Sequence, residues 1–185
     1  HITKILHSFE ADTMDHATYG VQVLFEEGMI RQFIEEDTWD DVIRTAIAKH
    51  SDYELTGITD ERTLLHARLI RDADKLDNCR VKLEDAMETL LDLSADEVGK
   101  YAISPKVRED AFAGKCICSK DRRTPMDYWV SYVAYFYDLN FRETLDIVAE
   151  EQYVKRIIGR VPYTNEQTKK TMEELERQLT EYVRR

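Results

Sequence analysis

The chain has 185 residues, of which 34% are charged and 43% are apolar, and its formal net charge is −11. This length and this apolar share are typical of a folded chain with its own core, not of a disordered one. The acidic balance argues against a nucleic-acid duplex as partner, because binding to its backbone depends on cationic surfaces. It is compatible with a phosphorylated small molecule or nucleotide, since a bound divalent cation reverses the local charge.

The cysteine count and the hydropathy of the chain bear on its location. Cys79, Cys116 and Cys118 are an odd number without zinc-finger spacing, which indicates a reducing compartment. No apolar run reaches membrane length, and no signal peptide is visible. We therefore expect a cytoplasmic protein without a membrane partner, and a homo-oligomer is compatible with these features.

The N-terminal part of the chain predicts two short helices. One face of the first would be formed by Ile2, Ile5, Leu6 and Phe9. Asp15 is a good N-cap for the second, which places His16 in its first turn, and Gly28 is expected to end it. On its own, His16 is best explained as an ordinary residue at a helix start.

A further helix is predicted to begin at Thr38, with Asp41 as the acidic partner of that N-cap. Its apolar stripe places His50 on the inward face, where a lone histidine is usually a satisfied core residue. The stripe consists of Trp39, Val42, Ile43, Ala46 and Ile47.

The next predicted helix runs from about Glu61 into Leu91 and carries Asp72, Asp74 and Asp77 within six residues. Helix interiors disfavour aspartate, because its side chain competes for backbone hydrogen bonds. These residues therefore form either a solvated acidic face or a carboxylate aimed at a metal ion.

The C-terminal half predicts a series of capped helices. The expected caps are Ser94 with Glu97, Ser104 with Pro105, Thr124 with Pro125, Asn140 with Glu143, and Thr164 with Gln167, and Gly114 is expected to end the helix after Ser104. An aromatic segment over 128–137 is interpreted as core or as a partner-helix surface. The last helix packs its apolar face either on the body of the protein or on a partner chain. The predicted fold is all-α, with one domain over residues 1–185.

Three stretches together resemble the HD superfamily of metal-dependent phosphohydrolases. Ala73-Asp74-Lys75-Leu76-Asp77-Asn78 is similar to the last motif of that family, in which an Ala-Asp pair precedes a basic residue and leucine. Asp15-His16-Ala17-Thr18-Tyr19-Gly20 and Ala48-Lys49-His50-Ser51-Asp52-Tyr53 resemble its two additional histidine motifs. Their order fits the subgroup that carries these two histidines. The resemblance covers residues 9 to 81 well, and 92–185 resembles the helical tail of small bacterial members.

The resemblance implies an HD-like helical bundle with a metal-site core over 9–91 and a helical C-terminal part over 92–185. It implies a divalent ion (Mn, Fe, Ni, Zn or Mg) ligated by His16, His50 and Asp74, because imidazole and carboxylate suit such ions. The further candidates are Asp15 and Lys75 as catalytic residues and Arg71, Asn78 and Arg122 as substrate-binding residues.

Two of these candidates have a plain structural alternative, and one other histidine is set aside. Lys75 and Arg71 would offset phosphate charge, but they could equally pair with Asp72 or Asp77 on the same helix. His66 lies eight residues before Asp74, which is about 12 Å along a helix. One ion cannot bridge that distance, so His66 is interpreted as a packing or ligand-supporting residue.

The chain departs from the family at its defining motif. No adjacent His-Asp pair occurs in the sequence, which opens at His1 without a methionine. We expect either that the native N-terminus lies upstream and carries the pair, or that the pair has been lost. In the first case, residues 1–185 alone should bind metal poorly or not at all and lack turnover, whereas the longer chain should show both.

The resulting function is a metal-dependent phosphohydrolase acting on a nucleotide or other phosphoester. The alternative is a non-catalytic HD-like protein that binds a ligand or serves as a scaffold through the same cavity. A helical interaction domain without any site is the third reading of the sequence.

Overall fold

The computed structural model describes residues 16–185, and this part of the chain is helical without any β-strand. The predicted all-α class is confirmed. The helix predicted over 2–9 and the Asp15 cap lie outside the described residues. The α-helices are His16–Val21 (α1), Asp40–Lys49 (α2), Glu61–Glu84 (α3), Met87–Leu91 (α4), Ala95–Val98 (α5), Pro105–Phe112 (α6), Pro125–Ala134 (α7), Arg142–Glu150 (α8), Tyr153–Ile158 (α9) and Glu166–Val183 (α10).

The chain divides into two compact units, residues 1–71 and 72–185, with the boundary inside α3. The single domain that the sequence suggested therefore stays a prediction. Within residues 16–185, no helix combines the length and the apolar character that crossing a membrane requires.

In the first unit, α1 packs against α2 through small residues. Ala17 and Ala46 are almost completely buried, and a Cβ atom placed on Gly20 would lie 3.5 Å from Cγ2 of Ile47. Small side chains at these positions allow the two helix backbones to approach closely. A π-helical turn over Gln22–Glu26 follows α1, and Gly28 ends this segment with φ of +76°, as predicted.

The predicted start of α2 is wrong by one residue. Its N-cap is Trp39, not Thr38, and no side chain caps it. The Asp40 amide donates to the Asp37 carbonyl at 2.9 Å, so a backbone turn precedes the helix where a side-chain cap was expected. Asp40 and Asp41 then occupy the first turn, where negative charge is favourable for a helix.

The core of the second unit is built around fully buried Trp129 and Phe136, which come from the aromatic segment. The apolar face of α10 lies in the same core, through Met172, Leu175, Leu179 and Val183. Of the two partners that the sequence left open for this helix, the body of its own unit is the one observed.

Several predicted caps in the second unit are confirmed. Capping boxes form at Ser94 and at Thr124, Ser104 is the N-cap before Pro105, and Gly114 has φ of +71° after α6. The long helix α3, however, ends at Glu84 and not at Leu91. Ala86 is extended and starts the separate helix α4.

Two other caps differ from prediction because distant residues take part. The N-cap of α8 is Phe141, not Asn140, and the amides of both residues donate to the Asp72 carboxylate. The N-cap of α10 is Asn165, whose side chain accepts the Thr168 amide at 3.0 Å.

Thr164, the expected cap of α10, instead donates its amide to the Gly99 carbonyl at 3.1 Å. A Cβ atom on Gly99 would lie 2.2 Å from the Pro162 carbonyl oxygen. Only glycine therefore fits at position 99 without moving the backbone, and this close approach fixes the chain before α10.

Candidate metal centre

Two histidines from different helices meet in the first unit. His16 stands in the first turn of α1, and His50 is the C-cap residue of α2. Their Nε2 atoms are 2.9 Å apart, with ring centroids at 4.9 Å and an interplanar angle of 74°. The structure thus brings together two of the three side chains that the motif resemblance assigns to a metal ion.

The environment of His50 fixes which of its nitrogens faces His16. Its Nδ1 atom lies 2.7 Å from the Ile47 carbonyl oxygen. A carbonyl only accepts hydrogen bonds, so Nδ1 carries the hydrogen and donates it. In the neutral ring, Nε2 therefore presents a lone pair toward His16, which is the arrangement of most metal-binding histidines.

The spacing of the two Nε2 atoms fits two ligands of one ion. Nitrogens bonded to an ion at about 2.1 Å and at right angles to each other lie about 3 Å apart. The alternative is a direct hydrogen bond in which His16 Nε2–H donates to the lone pair of His50. Shared coordination of an ion and a direct hydrogen bond require the same orientation of the His50 ring, so a measurement of metal binding is what distinguishes them.

Arg71 holds the chain that follows His50. Its side chain is almost completely buried and donates to the carbonyl oxygens of His50 and Tyr53, each at 3.0 Å, and to that of Asp52. The carbonyls at the end of a helix lack partners within the helix. Here the guanidinium donates to the carbonyl of the C-cap residue His50 and to two carbonyls of the segment that follows. The observed contacts of this predicted substrate-binding residue are thus with the backbone.

The three aspartates of α3 have three different environments. Asp72 is 2% exposed and accepts the amides of Asn140 and Phe141. Asp77 forms an exposed ion pair with Arg80 at 3.2 Å. Asp74 is exposed, and no side chain among residues 72–185 forms a hydrogen bond or ion pair with its carboxylate.

The remaining candidates of the second unit lie in local contacts. Lys75 forms an ion pair with Asp138 at 2.8 Å, not the pairing with Asp72 or Asp77 that the sequence suggested. Asn78 donates to the Asp74 carbonyl at 2.9 Å and accepts from Lys82 at 3.2 Å.

Arg122 and His66 complete the predicted residues. The Arg122 guanidinium lies 4.4 Å from the Tyr128 ring centroid, and its Nε atom has no acceptor among the described residues. His66 is exposed, so the packing role predicted for it is wrong.

A buried polar cluster in the second unit was missed by the sequence analysis. The Lys82 ammonium lies 4.6 Å from the Tyr132 ring centroid and 5.1 Å from that of Tyr135, and burial lowers its pKa to about 8. Cys79 Sγ is 2.9 Å from the Tyr135 hydroxyl, and burial raises the pKa of this thiol to about 11. The one signal in the sequence is the spacing of Asn78 and Lys82 on one face of α3.

No third ligand accompanies the histidine pair within the described range: residues 16–185 contain no group of three His, Cys, Asp or Glu side chains arranged to hold an ion. Asp15 lies outside the described residues. The assignment of Asp74 as a ligand rests on the sequence motif.

No protein-family model matches this sequence, and the searches for similar curated proteins and similar solved structures found no match. The resemblance to the HD superfamily therefore rests on the three motifs and stays a prediction.

Proposed function

We propose that this protein is a divalent-metal-dependent phosphohydrolase of the HD type, acting on a nucleotide or other phosphoester. The observation that supports this most is the distance of 2.9 Å between His16 Nε2 and His50 Nε2. The second ring nitrogen of His50 is hydrogen-bonded to the Ile47 carbonyl. The two histidines are 34 positions apart and lie in two of the three stretches that resemble family motifs.

The candidate residues other than Arg71, whose observed contacts are with the backbone, have the following roles in this proposal. His16 and His50 would hold the ion through Nε2, and the motif resemblance assigns Asp74 as a carboxylate ligand. Such an ion lowers the pKa of a bound water and stabilises charge on the phosphoryl oxygens. Lys75 and Asp15 assist proton transfer, and Arg122 and Asn78 orient the phosphoester.

The proposal also includes a cytoplasmic location. Cys79 and Cys118 are free thiols, although oxidising compartments favour disulfides. A phosphorylated metabolite or nucleotide is the kind of substrate such a compartment supplies. Because the net charge of the chain is −11, a bound cation would supply the local positive charge that such an anion needs.

Metal analysis combined with a phosphoester panel tests the proposed function. The native protein is purified, its Mn, Fe, Ni, Zn and Mg contents are measured, and turnover is assayed with nucleotides and an aryl phosphate. Asp74→Ala should abolish metal binding and turnover. Asp77→Ala is the matched control, because Asp77 is an exposed aspartate of the same helix that pairs with Arg80.

The outcomes separate the candidate functions. Bound metal with turnover that depends on Asp74 supports the phosphohydrolase. Bound metal without turnover of any phosphoester favours the non-catalytic ligand-binding protein. A protein without affinity for any of these ions overturns the proposal.

A further inference from the structure

Arg71 differs from most arginines of this acidic chain in how it is used. The side chain is 4% exposed, and it contacts the main chain of a segment about twenty residues earlier in sequence. Its guanidinium donates hydrogen bonds to three carbonyls within a four-residue segment, those of His50, Asp52 and Tyr53. This segment begins at one of the two histidines of the candidate metal centre.

We propose that Arg71 is a positioning residue for His50, which fixes the end of α2 so that the imidazole Nε2 meets His16. This inference rests on the proposed function for its importance, because a precise Nε2 position matters only where a ligand is bound. The contact that supports the inference does not depend on that function, because Arg71 donates to the backbone carbonyl of His50 whether or not a metal ion is bound.

The backbone hydrogen bond of the His50 amide, which reaches back three residues at the end of α2, is long. The His50 amide lies 3.5 Å from the Ile47 carbonyl oxygen, at the outer limit for such a bond. The same carbonyl accepts the closer Nδ1–H of the ring at 2.7 Å. The shorter polar contacts of His50 are therefore this ring contact, the approach to His16 and the hydrogen bond from Arg71 to its own carbonyl. Without Arg71, the last turn of α2 would lose an anchor and the ring would lose its fixed orientation.

A guanidinium suits this role better than an ammonium. Arginine presents five N–H donors in a rigid plane, which can reach several carbonyls at once. A lysine at position 71 would keep the positive charge but act as a single point of contact. Arg71→Lys therefore removes the geometry of the clamp while it leaves the net charge unchanged.

The chain contains a matched control. Arg160 donates to the Lys82 and Asp85 carbonyls at the end of α3, which is the same kind of clamp in the second unit. Arg160→Lys should lower thermal stability as Arg71→Lys does, yet leave the histidine pair unchanged. A merely structural role of Arg71 predicts that the two variants behave alike.

The experiment measures Co²⁺ binding and the ¹⁵N signals of the histidine rings in the full chain, with CD to verify folding. Arg71→Lys should raise the half-saturating Co²⁺ concentration roughly tenfold, as expected for loss of a group that orients a ligand. It should also replace the single Nδ1–H form of His50 with averaged ring signals. Arg160→Lys should keep the wild-type values of both.

Wild-type Co²⁺ affinity and unchanged ring signals in Arg71→Lys would overturn the inference, as would an equal effect of Arg160→Lys. If neither the 185-residue chain nor a longer native chain binds Co²⁺, the proposed function fails, and the ring signals alone decide the role of Arg71. If Arg71→Lys does not fold, Arg71→Gln, which keeps two amide donors, is judged by the same criteria.

Discussion

Asp72 and Asp74 lie two residues apart on α3, and we predict opposite effects when each is replaced by alanine. The Asp72 carboxylate is buried and accepts the Asn140 amide at 3.0 Å, the Phe141 amide at 3.0 Å and the Asn140 side chain at 2.8 Å. Hydrogen bonds to a charged group contribute about 1.5–3 kcal/mol each. Asn140 is exposed, so water can replace the hydrogen bond of its side chain to Asp72. We therefore count only the two backbone amides and use the lower value of about 1.5 kcal/mol for each.

For the two backbone amides, this reasoning gives a loss of ~3 kcal/mol in the free energy of unfolding for Asp72→Ala. In a chain of this size, that loss lowers the melting temperature by roughly 6–12 °C. Asp74→Ala should leave stability unchanged or raise it by up to about 0.5 kcal/mol, because alanine is the better helix former and the exposed Asp74 carboxylate forms no hydrogen bond or ion pair with residues 72–185.

Urea unfolding followed by CD, in the presence of a chelator, measures both changes. Asp72→Asn should lie between wild type and Asp72→Ala, because its amide retains one acceptor oxygen. A loss below about 1 kcal/mol for Asp72→Ala would refute the assignment of its carboxylate as the cap of α8. A large loss for Asp74→Ala without metal would indicate a structural role for Asp74 and count against its assignment as a ligand.

Three further predictions concern the second unit. Asp127 is fully buried and accepts hydrogen bonds from the Ser104 amide and hydroxyl and from the amides of Arg123 and Thr124. Asp127→Ala should therefore destabilise by about 3–5 kcal/mol in urea unfolding, because hydrogen bonds to a charged group contribute about 1.5–3 kcal/mol each. Asp146→Ala, which removes an exposed ion pair, should cost under about 1 kcal/mol. Asn165→Ala should cost about 1 kcal/mol by the same measurement, and an unchanged midpoint would show that Asn165 does not cap α10. Burial lowers the pKa of Lys82 to about 8 in the folded state, so above that pH the unfolded chain binds more protons than the folded one. The free energy of unfolding, relative to that of Lys82→Met, should therefore rise by about 1 kcal/mol from pH 8 to pH 9. A flat or falling difference in unfolding free energy over this interval would contradict the burial of a charged Lys82.

Local features of the fold could be predicted from sequence wherever one short stretch contains all the interacting groups. The capping box at Ser94, the proline after Ser104 and the left-handed glycines Gly28 and Gly114 depend on residues within a few positions, and all are observed. The start of α8 could not be predicted in this way. Its cap is a carboxylate of Asp72, 68 positions away, and no local pattern indicates such a partner.

The candidate site shows the same limit. The two histidine motifs led us to expect that His16 and His50 meet, and their rings are in contact. The backbone contacts of Arg71 and the burial of Lys82 could not be predicted, because both depend on tertiary packing. The sequence motif around Asp74 likewise does not reveal that the neighbouring Asp72 has a structural use.

The central claim is that His16 and His50 bind one metal ion, and a Co²⁺ titration followed by visible absorption tests it most directly. The titration compares wild type with His16→Ala, His50→Ala and His66→Ala, the last as an exposed control histidine. The account predicts a ligand-field band in wild type and His66→Ala, weak in the 185-residue chain, and its loss in both other variants. An unchanged band in His16→Ala or His50→Ala, or no band in any form of the protein, would contradict it.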